Sequence, residues 1–434
     1  MRDKERKCGG SVTHSKRLIH KGFLLGFLAV ASLFFLWAVA NNLNDILIRQ
    51  FQKALELSRT EAGFIQFVFY IGYFVFAIPA GLIARRFGYR GAILFGLSLY
   101  GAGALLFYPA AETRSYAFFL FALFTIAVGV ATLETAANPY ISRFGAPERA
   151  AQRLNLAQAF NGLGAFLAPL VGGLMIFSGT EIDDALRATM SAAEYQELLG
   201  REASAVQTPY LIVAAMVALV AVLIALVKLP EIDETVKDSP DEGRFDEKTS
   251  PLHVPHLRAA VIAQFFYVGA QVALWSFFID FAVEISADIG ERGAALLLSA
   301  NLAMFVAGRF GGAALMARIA PERLLLIAGI GAMACCAVAL AAPPMAAVTA
   351  LVISGLFMSI MFPTIFSLGV ADLGRHTKLA SSLIIMAIIG GALFPPASGW
   401  LIDQTGSLRL TALAPLIGFT AVTWFAWRYR ALMR

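Results

Sequence analysis

Charge is scarce in this sequence. Only 15% of its 434 residues are Asp, Glu, Lys or Arg, against about 25% in a soluble domain. Cysteine is scarcer still. Cys8, Cys335 and Cys336 are the three present, which gives no disulfide framework and no metal-ligand spacing. The five histidines, at 14, 20, 253, 256 and 376, fall in predicted loops, and no lysine lies deep in an apolar run. There is no phosphate-binding glycine loop, no paired metal ligands and no serine–histidine arrangement. An ATP-driven pump or an intramembrane enzyme is therefore poorly supported. What the chain holds in excess is apolar: 59% of its residues, with a mean hydropathy of +0.73. In such a chain a net charge of +5 does not indicate nucleic acid, because the bases lie mostly in short loops, where they orient membrane proteins.

Apolar runs of about 20 residues cross a bilayer as helices and are too long for the strands of a β-barrel. About twelve such runs are expected, near 22–48, 61–84, 91–110, 116–142, 152–177, 208–229, 258–285, 293–317, 323–342, 346–370, 380–403 and 408–429. The fold class is thus an all-α polytopic membrane protein. Alternate connections are basic: Arg85, Arg86 and Arg90; Arg143, Arg149 and Arg153; Arg318 and Arg323; Arg375 and Lys378. So are the N-terminal segment and the tail with Arg428, Arg430 and Arg434. The positive-inside rule puts these loops and both termini in the cytoplasm. The connection 178–207 carries Glu181, Asp183, Asp184, Glu194, Glu197 and Glu202, and belongs outside. The start of the chain does not read as a cleavable signal peptide, since its apolar run is too long and ends too polar.

The charged, proline-containing stretch 230–257 divides the spans. The expected organisation is a cytoplasmic segment 1–21, a six-helix half 22–229, a cytoplasmic linker 230–257, and a second half with a short tail, 258–434. Gly81-Leu82-Ile83-Ala84-Arg85-Arg86-Phe87-Gly88-Tyr89-Arg90 resembles the loop motif of the major facilitator superfamily, with Arg85 where that motif has aspartate. Gly308 to Arg318 looks like a degenerate copy six spans later. Two parallel halves with a midplane ligand site is the arrangement this resemblance implies.

Few polar residues sit inside the spans, and they cluster. In span one, Trp37, Asn41 and Asp45 are four apart and share a helix face, with Asn42 beside them. A carboxylate at the bilayer centre costs about 3 kcal/mol or more. Asp45 is therefore a proton site beside a ligand pocket, or a solvated group at the outer interface near Arg49. In span four, Glu134 and Asn138 are four apart after a long apolar stretch; Glu134 is a second proton site or the partner of an arginine. Span five has Asn155, Gln158 and Asn161 at intervals of three, a stripe expected to line a cavity. Span seven has Gln264, Tyr267, Gln271 and Trp275 at three, four and four. Amides donate to and accept from hydroxyls, and flat aromatics stack on the C–H face of a sugar. Arg309 in span eight either pairs with an intramembrane acid or snorkels to the cytoplasmic face. Met358, Met361, Phe362 and Pro363 offer an apolar wall or plain packing.

These strings resemble the fucose–galactose–glucose proton symporters. The resemblance is carried by Phe35-Leu36-Trp37 with Asn41-Asn42-Leu43-Asn44-Asp45, by Leu133-Glu134-Thr135-Ala136-Ala137-Asn138-Pro139, and by Asn155-Leu156-Ala157-Gln158 with Asn161. Ala263-Gln264-Phe265 with Gln271, and Phe362-Pro363-Thr364-Ile365-Phe366, extend it. It implies a twelve-helix major facilitator fold in the inner membrane and proton-coupled monosaccharide uptake. It implies two essential acids at Asp45 and Glu134. It also implies sugar-facing amides at Asn42, Gln158, Asn161, Gln264 and Gln271, and pocket aromatics at Trp37 and Trp275; Asn41 and Phe362 complete the expected pocket. No metal and no cofactor is implied beyond the coupling proton. The expected partners are the sugar, the proton and the lipid bilayer, with no nucleic acid, and the chain is expected to be a monomer.

The Asn41-Asn42 pair favours the fucose branch. Met361-Phe362, where that branch has Gln-Tyr, is similar to the glucose/galactose branch, and Val272 and Leu274 replace smaller or polar neighbours. L-fucose leads as substrate, ahead of galactose, glucose and N-acetylglucosamine; a proton-driven exporter and a non-transporting sugar sensor are the other classes. Asp45→Asn or Glu134→Gln is expected to stop proton-driven uptake. Sugar exchange persisting in one variant assigns coupling to that residue, and normal accumulation in both would sink the two-acid scheme.

Overall fold

The computed structural model describes residues 17–20, 22–57, 59–176, 190–227, 229, 253–286 and 289–433. Residues 230–252 of the expected linker and the acids Glu181, Asp183 and Asp184 lie outside the described residues. Regular structure among the described residues is helical throughout. A lipid-facing backbone must satisfy its own N–H and C=O groups, and a helix does so within one segment.

In chain order the helices are α1 (Leu24–Ala54), α2 (Arg59–Thr113), α3 (Tyr116–Ile141), α4 (Ala150–Ile176), α5 (Ala192–Ser204), α6 (Gln207–Leu226) and α7 (Pro255–Ile285). They continue as α8 (Glu291–Leu315), α9 (Pro321–Ala341), α10 (Pro344–Met358), α11 (Met361–Gly369), α12 (Thr377–Met386), α13 (Gly390–Thr405) and α14 (Leu413–Leu432). Ten helical stretches among the described residues are long and apolar enough to cross a membrane. One of these, Phe64–Thr113, runs for 50 residues and holds the second and third expected spans.

That stretch folds back on itself at Gly88, where the backbone is non-helical at φ 71 and ψ 173. Packing against α3 requires the reversal. A Cβ at Gly72 would lie 2.9 Å from that of Ala127, and one at Gly103 would lie 2.7 Å from the side chain of Ile126. In a straight helix Gly72 and Gly103 would be about 46 Å apart, yet both meet adjacent residues of α3. Only a hairpin near Gly88 brings them level.

α1 packs on α4 and α6, and α2 on α3 and α6; α7 packs on α13 and α14, α9 on α10 and α14, and α8 on α10. The two sets meet where α4 touches α8 and α11, and where α2 and α3 touch α12. The contact is closest at the end carrying the basic loops. There the Asn155 amide donates to Thr364 Oγ1 at 3.2 Å. The Lys378 ammonium sits 4.9 Å from the centre of the Tyr89 ring. Gly81 lies so close to α12 that a Cβ would meet the Ser382 hydroxyl.

Four features differ from expectation. The tenth span is broken between α10 and α11. Pro363 explains the break, since its ring displaces the carbonyl four residues back, that of Ser359. The freed Ser359 oxygen accepts from Arg309 Nε at 3.3 Å, and the neighbouring Met358 oxygen accepts from the Tyr267 hydroxyl at 3.0 Å. The eleventh span is likewise broken, by a 3₁₀ turn at Ala387–Ile389. The expected outer connection contains α5, opened by a capping box of Ser191 and Glu194 and docked on α1 through Gln50, which donates to Glu202. Finally, α7 begins at Pro255, inside the expected linker, because proline fits the first turn of a helix.

The φ and ψ at Gly88 lie in a region essentially reserved for glycine, and no atom stands within 4 Å of a Cβ added there. Gly88→Ala therefore tests backbone strain alone, at a cost of about 1–3 kcal/mol. The expected outcome is a lower unfolding midpoint in detergent; an unchanged midpoint would mean that the turn carries no such constraint.

Candidate functional site

A cavity of about 680 Å³ lies between the two helix sets. Its walls are chemically unequal. The first set contributes Asn41, Asn42, Tyr73, Glu134, Gln158 and Asn161. The second contributes mostly apolar surface, including Val272, Phe305 and Phe362, relieved by Gln271, Ser276 and Arg309. Trp37 and Trp275 border it from opposite sides. Trp37 is almost wholly buried against Phe34, with ring centres 4.2 Å apart.

Glu134 is buried, 4% exposed. Its carboxylate accepts from the Tyr73 hydroxyl at 2.8 Å, and the same hydroxyl stands 3.5 Å from Asn41 Oδ1. A hydroxyl has one proton, so the shorter contact is the bond and Asn41 keeps its oxygen for another donor. Asn42 spends one N–H on the carbonyl of Ala38, at 2.8 Å in its own helix, and lines the cavity with the rest.

Arg309 joins the two sets. It is buried, so it does not snorkel. Its Nη1 donates to Asn161 Oδ1 at 2.8 Å, to Gln158 Oε1 at 3.2 Å, and to the Gln158 backbone oxygen. The guanidinium also lies 4.5 Å from the centre of the Phe305 ring, within cation–π range. Gln158 and Asn161 are further engaged through their amide N–H groups, with Asn138 Oδ1 at 3.4 Å and the Phe34 carbonyl at 3.3 Å. These two amides are thus a framed pair, oriented by Arg309. Trp275 is oriented in the same way. Its indole N–H donates to Asn301 Oδ1 at 2.9 Å, and the Asn301 amide donates to the Leu351 carbonyl of α10 at 2.8 Å.

The cavity thus gathers Trp37, Asn41, Asn42, Glu134, Gln158, Asn161, Gln271, Trp275 and Phe362. Asp45 belongs to α1, but its side chain lies outside the described residues. Gln264 does not reach the cavity: it is fully buried and absent from the lining. The reason is axial. The stripe from Gln264 to Trp275 rises about 16 Å, and the cavity floor on α7 is at Val268. Tyr267 of that stripe is buried too, and bonds to α10. Asn155 likewise lies below the floor. Met361 is buried behind the wall, and only its neighbour Phe362 faces inward. Sequence reasoning missed Gln66, Tyr70 and Tyr73, although their spacing of four and three puts them on one face of α2. Of the two readings of Arg309, burial excludes snorkelling; its hydrogen-bond acceptors are amide and carbonyl oxygens, and Glu134 lies within electrostatic reach. Among the described residues no group of three or more His, Cys, Asp or Glu could hold a metal ion.

A helical membrane protein with a polar cavity between two helix sets, a buried carboxylate on one wall and neutral amides around it, has the construction of a solute carrier. The chain belongs to the Major Facilitator Superfamily, whose family model matches residues 22–388; it is a transporter and not an enzyme. It is 42% identical over 418 residues to the L-fucose-proton symporter of Escherichia coli (strain K12), covering 95% of this chain and 94% of that protein. It is 36% identical over 415 residues to a glucose/galactose transporter of Brucella abortus biovar 1 (strain 9-941), covering 95% and 96%. The crystal structure of the transporter FucP in the outward conformation aligns with a TM-score of 0.85 at 42% sequence identity, covering 94% of this chain and 99% of that one.

Arg309→Lys keeps the charge and loses the planar fork that holds Gln158 and Asn161 together. Solute binding is expected to weaken about tenfold, the equivalent of about 1.4 kcal/mol, as measured by equilibrium titration of the purified protein. Binding at wild-type strength would mean that charge alone matters at this position.

Proposed function

We propose that the protein is a proton-coupled symporter that takes up L-fucose, or a related monosaccharide, across the bacterial inner membrane by alternating access. The observation that carries this reading is the pairing of buried Glu134 with Tyr73 beside the amides Asn41, Asn42, Gln158 and Asn161. A neutral polyol needs donors and acceptors in quantity, and no fixed counter-charge. A carboxylate among them serves as the proton carrier. The symporter relatives support the same reading.

In this scheme the basic-loop end is cytoplasmic, as are both termini, and the chain works as a monomer. The bonds between Asn155 and Thr364, and the packing of Gly81 on Ser382, then close the cytoplasmic side. This is the outward-facing state. A proton taken up by Glu134 or Asp45 neutralises that carboxylate. The sugar binds, its hydroxyls meeting the amides and one face lying on Trp275. The two sets then rock, the contacts at the cytoplasmic end part, and sugar and proton leave. Asp45 and Glu134 divide coupling and sugar-linked gating between them.

One observation favours a glucose/galactose carrier as the second reading. Phe362 lines the cavity and brings no hydroxyl where the fucose branch has tyrosine. A competition panel decides between them: uptake of labelled L-fucose into energised vesicles against unlabelled L-fucose, galactose, glucose and N-acetylglucosamine, with the external pH recorded. The expected outcome is competition by L-fucose and alkalinisation of the medium on its addition. Competition by glucose and galactose alone would move the assignment to the second reading. Sugar binding without a pH change would remove proton coupling.

A further inference from the structure

The residues left out of the cavity form a layer of their own. Asn138, Asn155, Gln264 and Thr364 are each fully buried. Asn138 is four residues after cavity-lining Glu134, and Thr364 two after Phe362; Asn155 is three before Gln158, and Gln264 four before Val268. α3 and α11 run toward the basic-loop end, while α4 and α7 run away from it. All four steps therefore lead in one direction, to a layer about one helical turn below the floor. Lateral contacts agree. Asn155 donates to Thr364. α7 runs antiparallel to the broken tenth span, with Ala260 against Gly369 of α11 and Tyr267 bonded to Met358 at the end of α10, which sets Gln264 level with Thr364.

Asn155 Nδ2, Asn138 Oδ1 and the Thr364 hydroxyl are bonded, but other polar atoms of this layer are not. Asn138 Nδ2, Asn155 Oδ1 and both amide atoms of Gln264 are buried without a partner among the described residues. Native proteins leave few buried polar atoms in that condition. Here the unpaired atoms comprise two N–H donors and two acceptors, with no ionisable group. That set suits the hydroxyls of a neutral polyol, which both give and accept. It does not suit an ion.

We propose that Asn138, Asn155, Gln264 and Thr364 form an inner sugar subsite, closed in this state and uncovered when the basic-loop end opens. It rests on the carrier reading above and extends it. A sugar leaving the Gln158–Asn161 pair passes to hydroxyl-binding groups one turn closer to the exit. The same groups bind sugar presented from that face.

The test compares the two faces. KM for L-fucose is measured in right-side-out and in everted vesicles, for the wild type and for Gln264→Met, which keeps side-chain length and removes the amide. The expected result is that KM at the basic-loop face rises about fivefold more than KM at the opposite face, as for the loss of one hydrogen bond. An unchanged ratio, or an equal rise at both faces, overturns the subsite. A second measurement does not depend on that variant folding. Thr364→Cys, in a background with the three native cysteines replaced, is alkylated in everted vesicles with and without saturating L-fucose. Protection of several-fold supports the subsite, and equal labelling overturns it. If wild-type vesicles transport no sugar at all, it is the carrier reading that fails.

Discussion

A guanidinium taken out of water costs several kcal/mol unless its N–H groups find acceptors. Arg309 finds them on the opposite helix set, on the Gln158 and Asn161 side chains and the Gln158 backbone. The cavity depends on that reach. It links α4 to α8, holds two amides in register, and places a positive group on the wall opposite the one that carries Glu134. The same side chain caps Ser359, the carbonyl that Pro363 frees at the α10–α11 break. One residue thereby ties the ligand wall to the helix whose Thr364 bonds to the other set at the closed end.

The rest follows from the rule that polar groups within an apolar slab must be satisfied. At the cavity, Tyr73 satisfies Glu134, and Asn301 satisfies Trp275. In the layer below, several amide atoms have no partner among the described residues. The contrast is physical. In the proposed scheme, groups that face a ligand in this state are oriented by their neighbours, whereas the inner layer is buried by the approach of two surfaces that part in the other state. A carrier cannot bond every polar group in both states, because each wall is alternately a surface and an interior.

Much of this was legible from residue order. The apolar runs located the helices to within a few residues, since the length needed to cross a bilayer leaves little freedom. Trp37, Asn41, Glu134, Gln158, Asn161, Gln271 and Trp275 were found as polar interruptions at helical spacing, which in an apolar segment is a strong signal. The breaks in the tenth and eleventh spans were not foreseen, although Pro363 was visible, because a proline in a membrane helix is tolerated wherever a neighbour takes up the freed carbonyl. The neighbour here is Arg309, 54 residues earlier in the chain. α5 was missed for the opposite reason. Its capping box was present, but a short polar helix is stabilised by docking, through Gln50 and Glu202, rather than by its own composition.

The sequence by itself determined that the chain is a bundle of membrane helices, which faces carry polar groups, and which family it resembles. These are consequences of local periodicity and of the cost of polarity in lipid. Only the tertiary structure decided how far along each face the cavity extends. Gln264 and Gln271 share a stripe of α7, yet one is sealed and the other lines the site. Periodicity fixes direction around a helix axis, while depth along it is set by where the two helix sets touch.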